Sequence, residues 1–150
     1  MKIGCGEWGF RELPMEEHFR LAARFGFRTL EFGLGGGQVG RLPSEPTDKQ
    51  IVEFRSLAQR YNIATPGCCL ENDFTLPDAT AHGAMLAATL RQIGAAAQCG
   101  ARQIRLFAGF TPNSRMTPHI WERMIAAFET AISANLQESH QESHNLLGLC

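Results

Sequence analysis

FGFRTLEF (residues 25–32) and CGARQIRLF (residues 99–107) are two copies of one joint. They align as Gly-x-Arg-x-Leu/Ile, Gly26 on Gly100 and Arg28 on Arg102, and each closes a helix-periodic stretch and opens a β-rich run. A glycine there supplies the positive φ that a helix C-terminus needs before the chain turns into a strand. Glu31 and Arg105 then fall at the same position of their strands.

Working outward, the same order occurs four times. Lys2 to Cys5 reads as strand 1, and Pro14 closes the loop before a helix with Met15, Phe19, Ala22 and Ala23 on one face. Thr29 to Phe32 is strand 2; Thr47 and Gln50 have capping-box spacing, and Ile51, Phe54, Leu57, Ala58 and Tyr61 form the stripe of a second helix that Asn62 can end. Ile63 to Leu70 is strand 3, which Pro66 and Gly67 mark as irregular or edge-like. Asp78 opens an alanine-rich helix facing inward through Leu86, Leu90, Ile93 and Ala97. Gln103 to Phe107 is strand 4, and Thr117-Pro118 starts a helix through Ile120, Met124, Phe128 and Ala131. Such alternation implies an α/β fold with parallel strands and right-handed crossovers.

If the sheet curls, alternate strands feed one interior layer, so Glu31 and Arg105 meet inside and pair, since an isolated buried charge is too costly. The expected architecture is a partial TIM barrel of about four βα units; a flavodoxin-like open parallel sheet is the alternative, distinguished by helices on both faces.

The chain has 150 residues, 44% hydrophobic and 19% charged, which fits a single domain over residues 1–150. With a formal net charge of -1 and no basic run, neither nucleic acid nor an anionic membrane is an expected partner. No signal-peptide pattern and no run of roughly 18 apolar residues is visible, so the chain reads as soluble and cytoplasmic. Five cysteines, Cys5, Cys68, Cys69, Cys99 and Cys150, lack both C-x-x-C spacing and an even count, and read as reduced, mostly buried thiols.

MKIGCGEWGF, GFRTLEFGLGGG and GARQIRLFAG, in that order and spacing, resemble the N-terminal half of the sugar phosphate isomerase/epimerase family, the xylose-isomerase-like TIM barrels. The likeness covers residues 1 to about 135, and its most telling pieces are the Gly-Phe-x-x-Leu-Glu entry ending at Glu31 and the Arg-Leu-Phe-Ala-Gly exit from Arg105 to Gly109. It implies a divalent metal (Mn, Mg, Co or Zn) held mainly by strands 5 to 8 of an eight-unit barrel, and proton transfer on an open-chain sugar or sugar phosphate through an enediolate. Asn145 to Cys150 looks like strand 5, with the first metal-binding Glu expected just beyond; residues 136–150, with QESH written twice, are an atypical tail or a truncated strand 5. No metal is therefore expected on this chain alone, and no residue is assigned a catalytic role.

What these units offer is wall and floor at the strand C-termini. Trp8 can stack on a sugar face or lid the core; Glu31 and Arg105 can touch substrate or simply pair with each other; Glu71 is a mouth carboxylate or a solvated one. GGGQVG (residues 35–40) fits G-x-G-x-x-G, yet it follows the second strand and no helix can start at once after it, so it reads as a mobile mouth loop. His140 and His144 lie at i and i+4 on a segment polar all round, a poor metal site. His18, His82 and His119 read as solvated side chains away from the mouth.

Two rival functions follow. A half barrel leaves strand edges and an apolar face open, so a non-catalytic module that forms a homodimer through its sheet edges is the alternative to an enzyme half. An endonuclease of the same barrel superfamily would need a histidine-rich zinc cluster and a basic groove, neither visible.

Overall fold

The computed structural model describes residues 3–147. Four parallel strands, β1 (Cys5–Gly6), β2 (Thr29–Leu34), β3 (Ala64–Leu70) and β4 (Gln103–Arg105), lie side by side in sequence order. Helices α1 (Met15–Arg24), α2 (Asp48–Tyr61), α3 (Ala79–Gln98) and α4 (Pro118–Leu147) connect or follow them.

Side chains alternate across a strand, and the two faces of this sheet differ completely. Leu30, Phe32 and Leu34 of β2 and Cys68 and Leu70 of β3 are buried in one cluster with Phe19 and Ala22 of α1, Ile51 and Phe54 of α2, Ile93 and Ala96 of α3, and Ala131 of α4. Phe54 is its hub, 5.4 Å from the Phe19 ring and 4.6 Å from Phe32. The opposite face carries Thr29, Glu31, Gly33, Gly67, Cys69, Gln103 and Arg105. All four helices cover one face only, and the strand order is strictly sequential. An open doubly wound sheet would have a crossed order and helices on both faces, so the flavodoxin-like alternative is excluded and the chain forms an arc of a barrel.

Local chemistry explains the boundaries. The Thr47/Gln50 capping box forms, Asn62 ends α2 in the left-handed region at φ 52°, Asp78 caps α3, and Gly26 and Gly100 adopt φ of 80° and 94° at the repeated joint.

Several expectations need correction. β3 is an interior strand; the irregularity is a register shift against β2 between Thr29 and Glu31, beside Pro66, which has no N–H to give the ladder. β4 stops at Arg105, two residues early, because the side chain of Asn72 takes over the pairing: its Nδ2 donates to Phe107 O (2.7 Å) and its Oδ1 accepts from Phe107 N (2.9 Å). β1 is Cys5–Gly6. The buried face of α3 includes polar His82, Thr89 and Gln92 beside Ile93 and Ala96: Gln92 lies against the loop at Gly35, and Thr89 donates its hydroxyl to Met85 O at 2.9 Å. Of the stretch expected as strand 5, residues 145–147 belong to α4, and 148–150 lie outside the described residues.

Candidate functional site

The inner face of the sheet forms an open trough of about 430 Å³, lined by residues of β1, β2, β3 and β4, with Glu31, Gly67 and Arg105 among them. Its floor is glycine-rich, and the Glu31 side chain packs directly on two of the glycines. The Glu31 side chain lies across Gly67, where a Cβ would touch its Cγ at 3.6 Å, and its Oε2 would be 3.2 Å from a Cβ on Gly6. Glu31 thereby reaches Arg105, which donates from Nε to Oε1 (2.9 Å) and from Nη2 to Oε2 (3.2 Å), a fork-to-fork pair. Both side chains stay partly open to solvent, 31% for Glu31 and 44% for Arg105, so the pair is not the fully buried one that the sequence implies. Its hydrogen bond to Glu31 is the main cause that raises the Arg105 pKa.

A second cluster, missed by sequence reasoning, sits at the rim. Glu7, directly after β1, is buried, and its Oε1 accepts from Arg41 Nε (2.9 Å) and Nη2 (2.7 Å); both side chains are 1% exposed. Arg41 Nη1 also donates to Glu71 Oε2 at 3.2 Å. Burial alone would lower the Arg41 pKa, but the hydrogen bond and charge of Glu7 outweigh it and raise it. Gly33 makes the approach possible, since a Cβ there would collide with the Arg41 guanidinium and Glu7 Oε1. Cys69 is buried beside Arg105 and Arg41; desolvation raises its pKa although both guanidiniums oppose the rise.

Arg41 comes from the loop that holds GGGQVG. Gly35, Gly36 and Gly37 all have positive φ (78°, 76° and 70°), the loop folds back so that Leu42 bridges Leu34, and Gly35 N donates to Leu42 O at 3.0 Å. Contrary to the expectation of a mobile loop, its end is clamped: Gly40, Arg41 and Leu42 are buried. The next helix, α2, starts only at Asp48, so no helix N-terminus stands directly behind the glycines to receive a phosphate.

Trp8 is 51% exposed at the rim, with the Arg11 guanidinium 4.7 Å and the Arg41 guanidinium 5.7 Å from its ring centroid. Glu71 joins it there through Arg41, so the rim and the Glu31–Arg105 floor bring together Trp8, Glu31, Glu71 and Arg105, with Glu7, Arg41 and Cys69 added by the structure. The available sequence signal was Gly33, two residues after Glu31 on the same face, where a glycine marks close approach. Arg41 itself carried none, because its partner lies 34 residues away.

Two histidines are not solvated. His18 is 1% exposed, its Nε2 facing Phe10 O (2.8 Å) and Leu13 O (3.0 Å) beneath Gly40 of the mouth loop. His82 is buried at the start of α3 near Arg123 and Asp73, and desolvation, then the Arg123 charge, lowers its pKa. His119 is exposed as expected.

The carboxylates do not make a cation site. Glu7, Glu31 and Glu71 are each held by a guanidinium, and among the described residues no group of three His, Cys, Asp or Glu side chains is arranged to hold a metal ion.

Among the described residues, no helix is long and apolar enough to cross a membrane. Comparison with curated proteins finds no match. Among solved structures, the chain is similar to 3-keto-D-glucoside 4-epimerase from E. coli (16% identity, TM-score 0.69, covering 93% of this chain and 53% of that one). It is similar as well to D-psicose 3-epimerase from Clostridium cellulolyticum, solved with D-tagatose (15% identity, TM-score 0.69, 92% and 50%). A third is a xylose isomerase domain protein from Planctomyces limnophilus (12% identity, TM-score 0.63, 92% and 49%). The chain thus spans about half the length of the structures it matches, and at these identities they show the fold. A family model described as xylose isomerase-like TIM barrel matches residues 19–139, covering most of the repeat from α1 into α4, and the chain belongs to that family.

Proposed function

We propose that this chain forms the substrate-facing wall of a sugar isomerase/epimerase-type barrel and binds an open-chain sugar or sugar phosphate in the inner trough. The observation that carries this reading is the half-open Glu31–Arg105 pair on the trough floor. A bidentate pair with solvent on one side keeps unused lone pairs and N–H groups for hydroxyls, and its geometry is fixed before the ligand arrives. Glu31 accepts from sugar hydroxyls, Arg105 donates to a hydroxyl, carbonyl or phosphate oxygen, and the free part of the Trp8 ring covers an apolar sugar face. Glu7 and Arg41 set the rim, holding Glu71 where a terminal hydroxyl would pass.

The isomerase chemistry of such barrels uses a metal that polarises the carbonyl and stabilises the enediolate. The carboxylates of this trough, each already committed to a guanidinium, do not fit that metal. They serve as binding and positioning groups, and this chain is catalytically incomplete by itself. The test is an NMR titration of the labelled protein with D-fructose, D-tagatose and a ketose phosphate. Saturable shifts at Glu31, Gly67 and Arg105, abolished in Arg105→Met, support the reading; no shifts, or shifts unaffected by that variant, overturn it. Turnover of these sugars at ordinary enzyme rates with added Mn²⁺ or Mg²⁺ would refute the incompleteness.

A further inference from the structure

The arc has two open flanks, and their surfaces are chemically complementary. Among the described strands, β1 and β4 each have a neighbour on one side only, so each presents unpaired backbone groups to its outer side. Beyond β4, α4 buries Ile120, Met124, Ala127 and Ala131 but leaves Trp121 (48%), Ile125 (51%) and Ile132 (57%) exposed. At i, i+4 and i+11 these form one narrow stripe continuous with the buried face, and Glu122 and Glu129 border it in solvent. An apolar arc that continues past the area its own fold covers is built for a neighbouring helix.

The β1 flank carries the counterpart. On α1, Glu16 and Phe19 face α2, through Arg60 and Tyr61. Away from α2 lie partly buried Leu21 and exposed Phe25 (65%), and Ile3 (66%) stands at the strand edge. Arg24 and Arg28 border this patch; both are exposed, and neither they nor Glu129 makes an ion pair among the described residues. Between Ile3 and Arg28 the surface sinks into a cleft of about 490 Å³.

We infer that a second copy of this chain covers both flanks at once: β4 and α4 of one protomer lie against β1 and α1 of its partner, and the reverse contact closes a two-fold barrel. The direction of the elements agrees. Both α1 and α4 start at the C-terminal edge of the sheet and run towards its N-terminal edge, so side by side and parallel, with Ile125 level with Leu21, acidic Glu129 falls between Arg24 and Arg28, and Ile132 lies just past Phe25 towards the strand edge. Apolar stripe meets apolar patch and acid meets base, whereas two α4 stripes placed face to face would bring Glu122 and Glu129 against their own copies. Closure also turns two open troughs into one enclosed lumen with two Glu31–Arg105 pairs, which deepens the sugar-binding reading and rests on it for its functional meaning.

Sedimentation velocity of the 150-residue protein across a concentration series is the test, with circular dichroism of every variant to confirm folding. Expected is a reversible dimer, weakened about ten-fold or more in Ile125→Glu. Glu129→Lys and Arg24→Glu each weaken it alone, and an equimolar mixture of those two variants recovers a mixed dimer, since each then offers the other one reversed contact and one native one. A monomer at every concentration overturns the inference. So does a dimer indifferent to Ile125→Glu or to the charge exchange, or a monomer that associates only with a separately supplied second half of a similar epimerase barrel. Sugar titration of the monomeric Ile125→Glu variant separates the two claims. Binding retained by a chain that never dimerises leaves the trough reading intact and removes only this one; a dimer that binds no sugar does the opposite.

Discussion

The same four strands present two surfaces that obey different rules. Towards the helices, Leu30, Phe32, Leu34, Cys68 and Leu70 are closed off from water, and the ring cluster around Phe54 locks three elements together. Towards the trough, the alternate residues are glycine, threonine, glutamate, cysteine, glutamine and arginine, and the floor is open. The first face stabilises by area removed from water, whereas the second is arranged by charge and shape, and its polar pairs add little net stability. The rim pair Glu7–Arg41 is the exception, a trough-side contact with the burial of the core.

Breaking the helix-side face should cost most. Phe54→Ala removes the hub ring from between α1, α2 and β2, and a loss of about 3–5 kcal/mol is expected in urea unfolding. Arg41→Ala tests the exception: it strands the buried Glu7 carboxylate and should cost about 3 kcal/mol, more than any other trough-side change. An equally small effect for Arg41→Ala and Glu31→Gln would erase the distinction between rim and floor.

A third experiment uses pH. The folded-state pKa of His82 is depressed below the ordinary imidazole value of 6.5 by desolvation first and by Arg123 second. Below that ordinary value the unfolded chain binds the proton more readily than the folded one. Its contribution is therefore complete above the ordinary value and is lost as pH falls from there through the depressed folded value. His82→Asn should flatten the decline of Tm between neutral and mildly acidic pH; an unchanged slope would place the acid sensitivity elsewhere.

The smallest stability effect is predicted at the floor. Glu31→Gln, at a pair that is roughly a third to a half exposed, should change unfolding free energy by less than about 1 kcal/mol while weakening sugar binding. A large loss of stability with binding intact would recast the pair as structural.

The repeated joint made the fold readable, because Gly26 and Gly100 mark helix ends through backbone sterics that depend only on neighbours in sequence. The capping box, the Asp78 cap and the helix stripes are local in the same sense. Glu31 and Arg105 were readable as a pair because the repeat put them at equivalent positions. Glu7 with Arg41, Asn72 with Phe107, and the buried His18 and His82 were not: each depends on a partner or a covering loop brought in by the fold.

What the amino-acid order determined by itself was the alternation of elements, their caps, and which side of each strand is apolar, since periodicity and terminal hydrogen bonding act within a few residues. Only the tertiary structure decided that the sheet curves with all its helices on one face, that a glycine-rich loop delivers Arg41 to Glu7, and that His18 and His82 are covered. Those outcomes depend on which distant surfaces exclude water together and on where a buried charge finds its partner.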